Sequence, residues 1–226
     1  MMSSADPSVL LLEGIRELGI PEPQRVHAQL AAYVAELERW NPRFGLVKYE
    51  GTEELVVKHV LDSLSAWSFL RDAAPPGTGT VLDAGSGAGF PGIPLAVALP
   101  GLSFTLVERM ARRASFLKTC AILLGLSQVR VAQCDLADIT GNFDVVTFRA
   151  VAPLPRFIED IDRSGVQWHT IMAYKGREER AREEIESVRR SSGPRFLTAL
   201  RALRTPFLDE ERCLAVISVA PLLTNG

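Results

Sequence analysis

Thr80-Val81-Leu82-Asp83-Ala84-Gly85-Ser86-Gly87-Ala88-Gly89-Phe90-Pro91-Gly92 is the stretch of sequence that decides the fold. A short apolar run ends in an acid, glycines follow at alternate positions, and an apolar helical pattern begins after them. This order predicts a strand, a glycine-rich turn and a helix, which is how α/β proteins build nucleotide sites. Glycine has no Cβ, so its backbone reaches positive φ values and a ligand can lie against it.

The position of the first glycine relative to the end of the strand indicates which ligand the turn accepts. Gly87, Gly89 and Gly92 satisfy the spacing of a dinucleotide site, but Gly85 is the first glycine after the strand. Asp83 stands at the strand end, where an acid repels a pyrophosphate and favours a cation such as a sulfonium. The D-x-G-x-G-x-G form resembles the first motif of class I S-adenosylmethionine-dependent methyltransferases. A dinucleotide site, or a tight turn without a ligand, remain the alternatives.

Composition sets the outer limits on the protein class. The chain has 226 residues, 47% of them hydrophobic, which is enough for one large α/β domain with an extension. No apolar run reaches the ~20 residues of a membrane span, and the N-terminus lacks a signal-peptide pattern. We therefore expect a cytoplasmic protein with no membrane contact. Cys120, Cys134 and Cys213 form no metal-binding pattern with histidines, so we expect free thiols and no metal.

A proline- and glycine-rich segment, residues 73–79, divides the chain into two predicted parts. Residues 1–72 are predicted to form an N-terminal helical extension, with helices over 7–18, 23–40 and 55–67. Asn41-Pro42 is expected to end the second helix, because the residue before proline is pushed out of the α region. Residues 80–226 alternate strands and helices, which predicts a mostly parallel sheet. Gly141-Asn142 is predicted to form a turn before the fourth strand, which is expected to begin at Phe143. No helix separates the final two strands, so one strand should run antiparallel.

Polar residues follow several predicted strands at the edge where ligands of such sheets bind. Glu108 ends the second strand, about 20 residues after the glycines, where an acid accepts hydrogen bonds from ribose hydroxyls. Backbone groups of Leu136 and Ala137, after the third strand, can meet an adenine edge. Arg149 ends the fourth strand and suits a carboxylate or a phosphate. An ordinary surface acid, loop or ion pair is the alternative at each position.

Four further positions carry side chains that could serve a substrate. His59 lies on the third predicted helix with Asp62 on the same face, although a lone histidine there is more often packed in the core. Lys175 ends the fifth strand at the same rim. Net charge is −2, which gives no global attraction to nucleic acid, so RNA binding needs a local basic cluster such as Arg112 and Arg113.

Taken together, these residues resemble the ribosomal RNA small-subunit methyltransferase G family, also called glucose-inhibited division protein B, over roughly residues 25 to 220. The motifs that carry the resemblance are Trp40-Asn41, His59-Val60-Leu61-Asp62-Ser63, Pro91-Gly92-Ile93-Pro94 with the glycines before it, Phe104-Thr105-Leu106, Arg113 with Phe116-Leu117, Arg149-Ala150 and Lys175-Gly176. The resemblance implies a class I methyltransferase fold, a Rossmann-like sheet, and methyl transfer from S-adenosylmethionine to nitrogen 7 of a guanine in 16S ribosomal RNA.

The resemblance also implies which residues act. The family's cofactor positions fall on Gly85, Phe90, Leu136, Ala137 and Arg149, and Asp83 and Glu108 fit the general methyltransferase pattern. With Gly87 and Gly89 of the glycine turn, these are the expected cofactor-binding residues. From the residues themselves we expect the substrate to be bound by Asn41, His59, Arg112, Arg113 and Lys175. No catalytic residue is expected, because nitrogen 7 of guanine has a free lone pair and the enzyme mainly aligns the reactants. The expected partner of a monomeric enzyme is 16S ribosomal RNA or the small ribosomal subunit.

The chain departs from the family pattern at three places. Gly45-Leu46-Val47 stands where the family usually has Asn-Leu-Thr, and Asp135-Leu136-Ala137 stands where it usually has Arg-x-Glu. The second strand ends in Glu108 where the family usually has Asp. Two other functions therefore stay open: a small-molecule methyltransferase on the same fold, and a cofactor-binding module without RNA activity.

Overall fold

The computed structural model describes residues 6–220 and contains a seven-stranded sheet in the order β3-β2-β1-β4-β5-β7-β6. Strand β7 is antiparallel to both β5 and β6, while β1 to β5 pair in parallel. The predicted mostly parallel sheet with one antiparallel strand is confirmed. The strands are β1 Thr80–Ala84, β2 Ser103–Val107, β3 Val129–Ala132, β4 Thr140–Arg149, β5 Gly165–Lys175, β6 Phe196–Leu203 and β7 Arg212–Val219.

Helices cover both faces of the sheet. They are α1 Pro7–Glu17, α2 Pro23–Phe44, α3 Thr52–Leu55, a π-helical turn Val56–Leu61, α4 Asp62–Leu64, α5 Trp67–Ala73, α6 Gly92–Ala98, α7 Ala111–Leu123, α8 Leu154–Arg163 and α9 Glu178–Ser192, with short 3-10 turns at Leu136–Asp138 and Gly193–Arg195. Adjacent strand residues point to opposite faces, so Val81 joins the core beneath the N-terminal helices while Leu82 joins the core beneath α8 and α9.

The predicted end of α2 at Asn41-Pro42 was wrong. The helix continues to Phe44, and Gly45 ends it with φ 55 and an N–H that donates to the Asn41 carbonyl at 2.8 Å. Proline here sits in the last turn of the helix, and the side-chain amide of Asn41 binds both backbone groups of Val47. The glycine's left-handed conformation therefore sets the boundary, rather than the proline.

Two other local predictions also differ from the structure. The single helix expected over 55–67 is interrupted by the π-helical turn Val56–Leu61, and Trp67 begins a separate helix. Gly141 and Asn142, expected to form a turn before the fourth strand, lie inside β4 and pair with β5. In both cases the tertiary environment overrides a local pattern.

The N-terminal helices share a core with the sheet. One cluster of buried side chains joins Ile15, Leu30 and Leu61 of the helical segment to Phe104 and Leu106 of β2. The division into a helical extension and a methyltransferase domain stays a prediction, but the two segments bury each other's apolar surface. None of the helices among residues 6–220 is long and apolar enough to cross a membrane.

Candidate active site

A cavity of about 700 Å³ lies at the carboxyl ends of the parallel strands. Strands β2 and β3 lie on one side of β1, and β4 lies on its other side. The order of the strands in the sheet therefore reverses between β1 and β4. A crevice at such a reversal is where open α/β sheets bind ligands. Five of the predicted cofactor residues line the cavity, namely Gly85, Glu108, Leu136, Ala137 and Arg149.

Glu108 is held in place by the glycine turn. Its two carboxylate oxygens accept hydrogen bonds from the backbone N–H of Met110 at 2.8 Å and of Gly87 at 3.0 Å. A carboxylate oxygen has two lone pairs, so each can still accept a hydroxyl from the cavity. Gly87 therefore acts on the cavity through Glu108, although it does not line it.

Two features of position 85 favour glycine: a positive φ and the lack of space for a Cβ. Its φ is +69, and a Cβ placed there would lie 2.9 Å from Cγ2 of Val151, which follows β4. A side chain at Gly85 would therefore require the Val151 side chain to shift. It would also have to adopt a positive φ, a backbone conformation that glycine reaches without strain.

Asp83 lies behind the turn and outside the cavity. The residue is completely buried, and the N–H of Gly92 donates to its Oδ2 at 3.1 Å. Its Oδ1 has no hydrogen-bond partner among the described residues. Burial raises the pKa of this carboxyl to about 7, against the opposing effect of the Gly92 hydrogen bond. This acid near the end of β1 therefore holds the first residue of α6 in place.

Gly89 and Phe90 connect the turn to α2. The hydroxyl of Tyr33 donates to the carbonyl of Ala88 at 2.6 Å, and the Tyr33 and Phe90 rings meet edge to face at 5.6 Å. A Cβ on Gly89 would lie 2.8 Å from Ile93 and 2.9 Å from the Tyr33 hydroxyl. These two predicted cofactor residues therefore shape the turn from behind and do not line the cavity.

Arg149 is surrounded by residues of the N-terminal helical segment. Its Nη1 donates to Oδ2 of Asp62 at 2.8 Å and to the carbonyl of Lys58 at 3.3 Å, and its Nη2 lies 3.1 Å from Nδ1 of His59. The guanidinium carbon stands 5.1 Å from the ring centre of Phe90. The structure thus brings the predicted pair His59 and Asp62 to a predicted cofactor residue.

The environment of His59 keeps its ring neutral. Burial, and then the neighbouring charge of Arg149, lower the pKa of His59 to about 4. A neutral ring can accept the hydrogen bond from Arg149 at Nδ1, which an imidazolium could not. His59 is therefore a structural partner of Arg149 in this conformation.

Three arginines stand at the mouth of the cavity where α7 begins. Arg109 and Arg113 line the cavity, and Arg112 is exposed beside them. The first turn of α7 contains no acidic residue. None of the three pairs with a carboxylate within residues 6–220, so their charges face solvent uncompensated.

The remaining predicted substrate residues are already engaged within the protein. The Lys175 ammonium pairs with Glu184 at 2.7 Å, faces the Phe148 ring at 5.6 Å and borders a separate cavity. Asn41 donates to the Val47 carbonyl at 2.9 Å and accepts from its N–H at 3.0 Å. The structure does not place these two side chains with the arginines of α7.

The opposite wall of the cavity was missed by the sequence analysis. Arg156, Asp160 and Arg163 of α8 line it, and Asp160 pairs with both arginines. Their spacing of four and three residues placed them on one helix face, and this pattern could have been recognised. What the sequence did not indicate was that this face borders the cavity.

Solved structures of methyltransferases share the fold. The chain is similar to a human methyltransferase 10 domain containing protein, with a TM-score of 0.60 and 14% identity over 85% of this chain and 97% of that one. It is also similar to magnesium protoporphyrin IX methyltransferase from Synechocystis PCC 6803 with bound SAM, with a TM-score of 0.54 and 18% identity over 96% and 100% of the two chains. At these identities the likeness concerns the fold, and the predicted class I methyltransferase architecture is confirmed.

The sequence relatives identify the family, which the solved structures do not. The family model described as rRNA small subunit methyltransferase G matches residues 26–209. Proteins named ribosomal RNA small subunit methyltransferase G are similar along nearly the whole chain: that of Treponema pallidum strain Nichols is 37% identical over 96% of both chains, and that of Alkalilimnicola ehrlichii is 36% identical over 87% of both. The predicted resemblance is confirmed, and the chain belongs to the rRNA small subunit methyltransferase G family.

Proposed function

We propose that this protein, an S-adenosylmethionine-dependent methyltransferase, methylates nitrogen 7 of a guanine in 16S ribosomal RNA. The observation that carries the proposal is the cavity at the strand ends, which combines an acceptor carboxylate, an apolar wall and an arginine. The relatives' name, ribosomal RNA small subunit methyltransferase G, supports an RNA of the small subunit as the substrate.

The residues that line the cavity fit S-adenosylmethionine. Glu108 would accept the two ribose hydroxyls, since each of its oxygens has a free lone pair. Leu136 and Ala137 would lie against the adenine, and Arg149 would bind the carboxylate of the methionine part. Gly85 lets the backbone approach the ligand closely. We assign Asp83, Gly87, Gly89 and Phe90 to the shape of the turn that holds these groups.

Proximity is the proposed source of catalysis. The cofactor supplies a methyl group on a sulfonium, which is electrophilic without further activation. The lone pair of nitrogen 7 in guanine needs no proton removed before attack, so no general base is required of the protein. The task of the chain is to hold the two reactants in line, which converts a bimolecular reaction into an effectively unimolecular one.

The RNA would approach over the first turn of α7. Arg112 and Arg113 are proposed to bind phosphates, and Arg109 joins them because it shares the mouth of the cavity. Asn41 would act by fixing the segment after α2, and His59 by its contact with Arg149. Lys175 would have to leave Glu184 before it could bind a phosphate, so its proposed contribution is smaller.

Mass spectrometry of 16S ribosomal RNA tests this function directly. A strain lacking the gene should lose one methylated guanine, and a plasmid with the wild-type gene should restore it. Purified protein should bind S-adenosylmethionine with a Kd in the micromolar range, about −8 kcal/mol at 1 μM. Unchanged 16S RNA in the deletion strain would reject the RNA substrate. Methyl transfer to a small molecule would then favour the first alternative, and binding without any transfer would favour the second.

We further propose that the enzyme acts as a cytoplasmic monomer on 16S ribosomal RNA or on the small subunit. Methyl transfer from a sulfonium requires no metal. Comparing methylation of naked RNA with that of isolated small subunits, by the purified monomer, would identify the form of the substrate.

A further inference from the structure

Asp62 is a buried carboxylate that joins the N-terminal helical segment to two arginines of the sheet. The residue is 3% exposed and begins α4. Its Oδ2 accepts from Nη1 of Arg149 at 2.8 Å, and its Oδ1 accepts from Nε of Arg212 at 2.9 Å. The hydroxyl of Thr205 reaches Oδ1 at 3.5 Å. A carboxylate placed between two guanidinium groups in a buried position compensates charges that would otherwise repel each other.

The contacts of Arg149 leave part of its guanidinium available to a ligand. A guanidinium has five N–H donors, and three of those of Arg149 point to Asp62, to the Lys58 carbonyl and to His59. The other two have no partner within residues 6–220. The side chain is 18% exposed, and it lines the cavity. The helical segment therefore determines which donors of Arg149 face the cavity.

The backbone that supplies these contacts has an unusual conformation. Lys58 and His59 lie in the π-helical turn Val56–Leu61, and Asp62 follows it directly. Single π-helical turns inside α-helices occur frequently at functional sites. Here the turn presents one carbonyl and one imidazole, and the residue after it presents one carboxylate, to a single guanidinium.

We propose that Asp62 is a positioning residue for cofactor binding, which fixes the Arg149 guanidinium over Phe90 so that its two remaining donors meet the carboxylate of S-adenosylmethionine. The inference rests on the proposed cofactor role of Arg149. It gives the N-terminal helical segment a part in forming the cofactor site, and this part is independent of RNA.

A double-mutant cycle on cofactor affinity tests the inference. Asp62→Asn should weaken S-adenosylmethionine binding about 10- to 100-fold, the effect expected for a hydrogen bond to a charged group. Arg149→Gln should weaken binding at least as much. In the double variant, Asp62→Asn should add almost nothing, because its effect passes through Arg149. Binding is measured by equilibrium dialysis with labelled S-adenosylmethionine, and thermal unfolding is followed for each variant.

Glu210→Gln is the matched control. Glu210 pairs with Arg212 and Lys58, is half exposed and does not touch Arg149, so its loss should leave cofactor affinity unchanged. If Asp62→Asn does not fold, His59→Ala removes a different contact of Arg149 and should weaken binding about fivefold.

The outcomes separate this inference from the proposed function. A wild-type protein that fails to bind S-adenosylmethionine rejects the proposed function and the inference with it. Normal binding by folded Asp62→Asn, or by folded His59→Ala where that variant is used, overturns the inference alone. So does an additive loss in the double variant, because Asp62 would then act on the fold as a whole.

Discussion

Each end of the parallel strands borders a cavity, of about 700 Å³ at the carboxyl ends and about 940 Å³ at the amino ends. At the amino ends several charged side chains that line the cavity are bound within the protein. Asp144 accepts from both the N–H and the hydroxyl of Thr80, at 2.8 and 2.9 Å, and Arg195 binds both oxygens of Asp162. The two acids and the arginine of the larger cavity, Asp144, Asp162 and Arg195, therefore already have partners within the protein.

The carboxyl ends differ because several of their polar groups can still bind a ligand. Glu108 keeps free lone pairs, Arg149 keeps two donors without a partner among residues 6–220, and Arg112 and Arg113 of α7 form no ion pair with a carboxylate in that part of the chain. Volume alone would select the amino ends of the strands, where the proposed cofactor residues do not lie. Hydrogen-bonding capacity and charge that the protein itself leaves free are the better guide to where a ligand binds.

The largest expected effect is on the affinity for S-adenosylmethionine, and it is tested by comparing Glu108 with Asp144. Each of these two acids accepts a backbone N–H beside the end of a strand. Glu108→Ala should weaken S-adenosylmethionine binding by about 100-fold, since it removes the acceptor for two hydroxyls. Asp144→Ala should leave the affinity unchanged. Both variants should lose about 1–3 kcal/mol of stability, because each leaves partly buried donors without an acceptor. Calorimetric titration and chemical denaturation measure the two quantities, and equal losses of affinity would remove the distinction between the two ends.

A second expected effect concerns the pH dependence of stability, on which the buried Asp83 and the half-buried His59 act in opposite directions. Burial raises the pKa of Asp83 from 3.8 to about 7, so this acid contributes stability at low pH that is lost as pH rises from about 4 to 7. The pKa of His59 is lowered from 6.5 to about 4, so its contribution is present above pH 6.5 and is lost as pH falls towards 4. The two effects partly cancel in the wild type.

Single variants should reveal each contribution. Asp83→Asn should make stability rise more steeply from pH 4 to 7 than in the wild type, and His59→Gln should make it fall more steeply. The slope changes by at most about 1.4 kcal/mol per pH unit for one proton. Urea denaturation at several pH values measures these slopes. Parallel curves for the wild type and Asp83→Asn would show that the carboxyl is ionised in the folded protein throughout this range.

The sequence predicted the sheet because strand and helix patterns alternate clearly after residue 79, and it predicted the position of Glu108 because the spacing from the glycines is fixed by the fold. It could not predict that Asp83 is buried behind the turn. The sequence pattern is the same for an acid at a strand end that faces a ligand and for one that faces a helix. Likewise, the sequence does not reveal that Lys175 is paired with Glu184, a residue on a different element. Contacts between elements decide which of the candidate residues remain free.

The smallest expected effect concerns RNA, and it compares arginines of the two ends. Arg112→Ala and Arg113→Ala should each weaken binding to small subunits several-fold, and each should reduce the slope of log K against log salt by about 1. The reason is that each uncompensated arginine that binds a phosphate releases a counterion. Filter binding of wild type and variants across a salt series measures both quantities.

Two control variants make this last comparison specific. Arg195→Ala removes a cation at the amino end, which already pairs with Asp162, so the salt slope should stay at the wild-type value. Lys175→Ala removes a cation at the carboxyl end whose charge is matched by Glu184, so its effect should be smaller than that of Arg113→Ala. A full change of slope in Lys175→Ala would mean that this ion pair opens when RNA binds. An unchanged slope in Arg112→Ala and Arg113→Ala would move the RNA surface away from α7, because only unpaired cations near the bound phosphates contribute to counterion release.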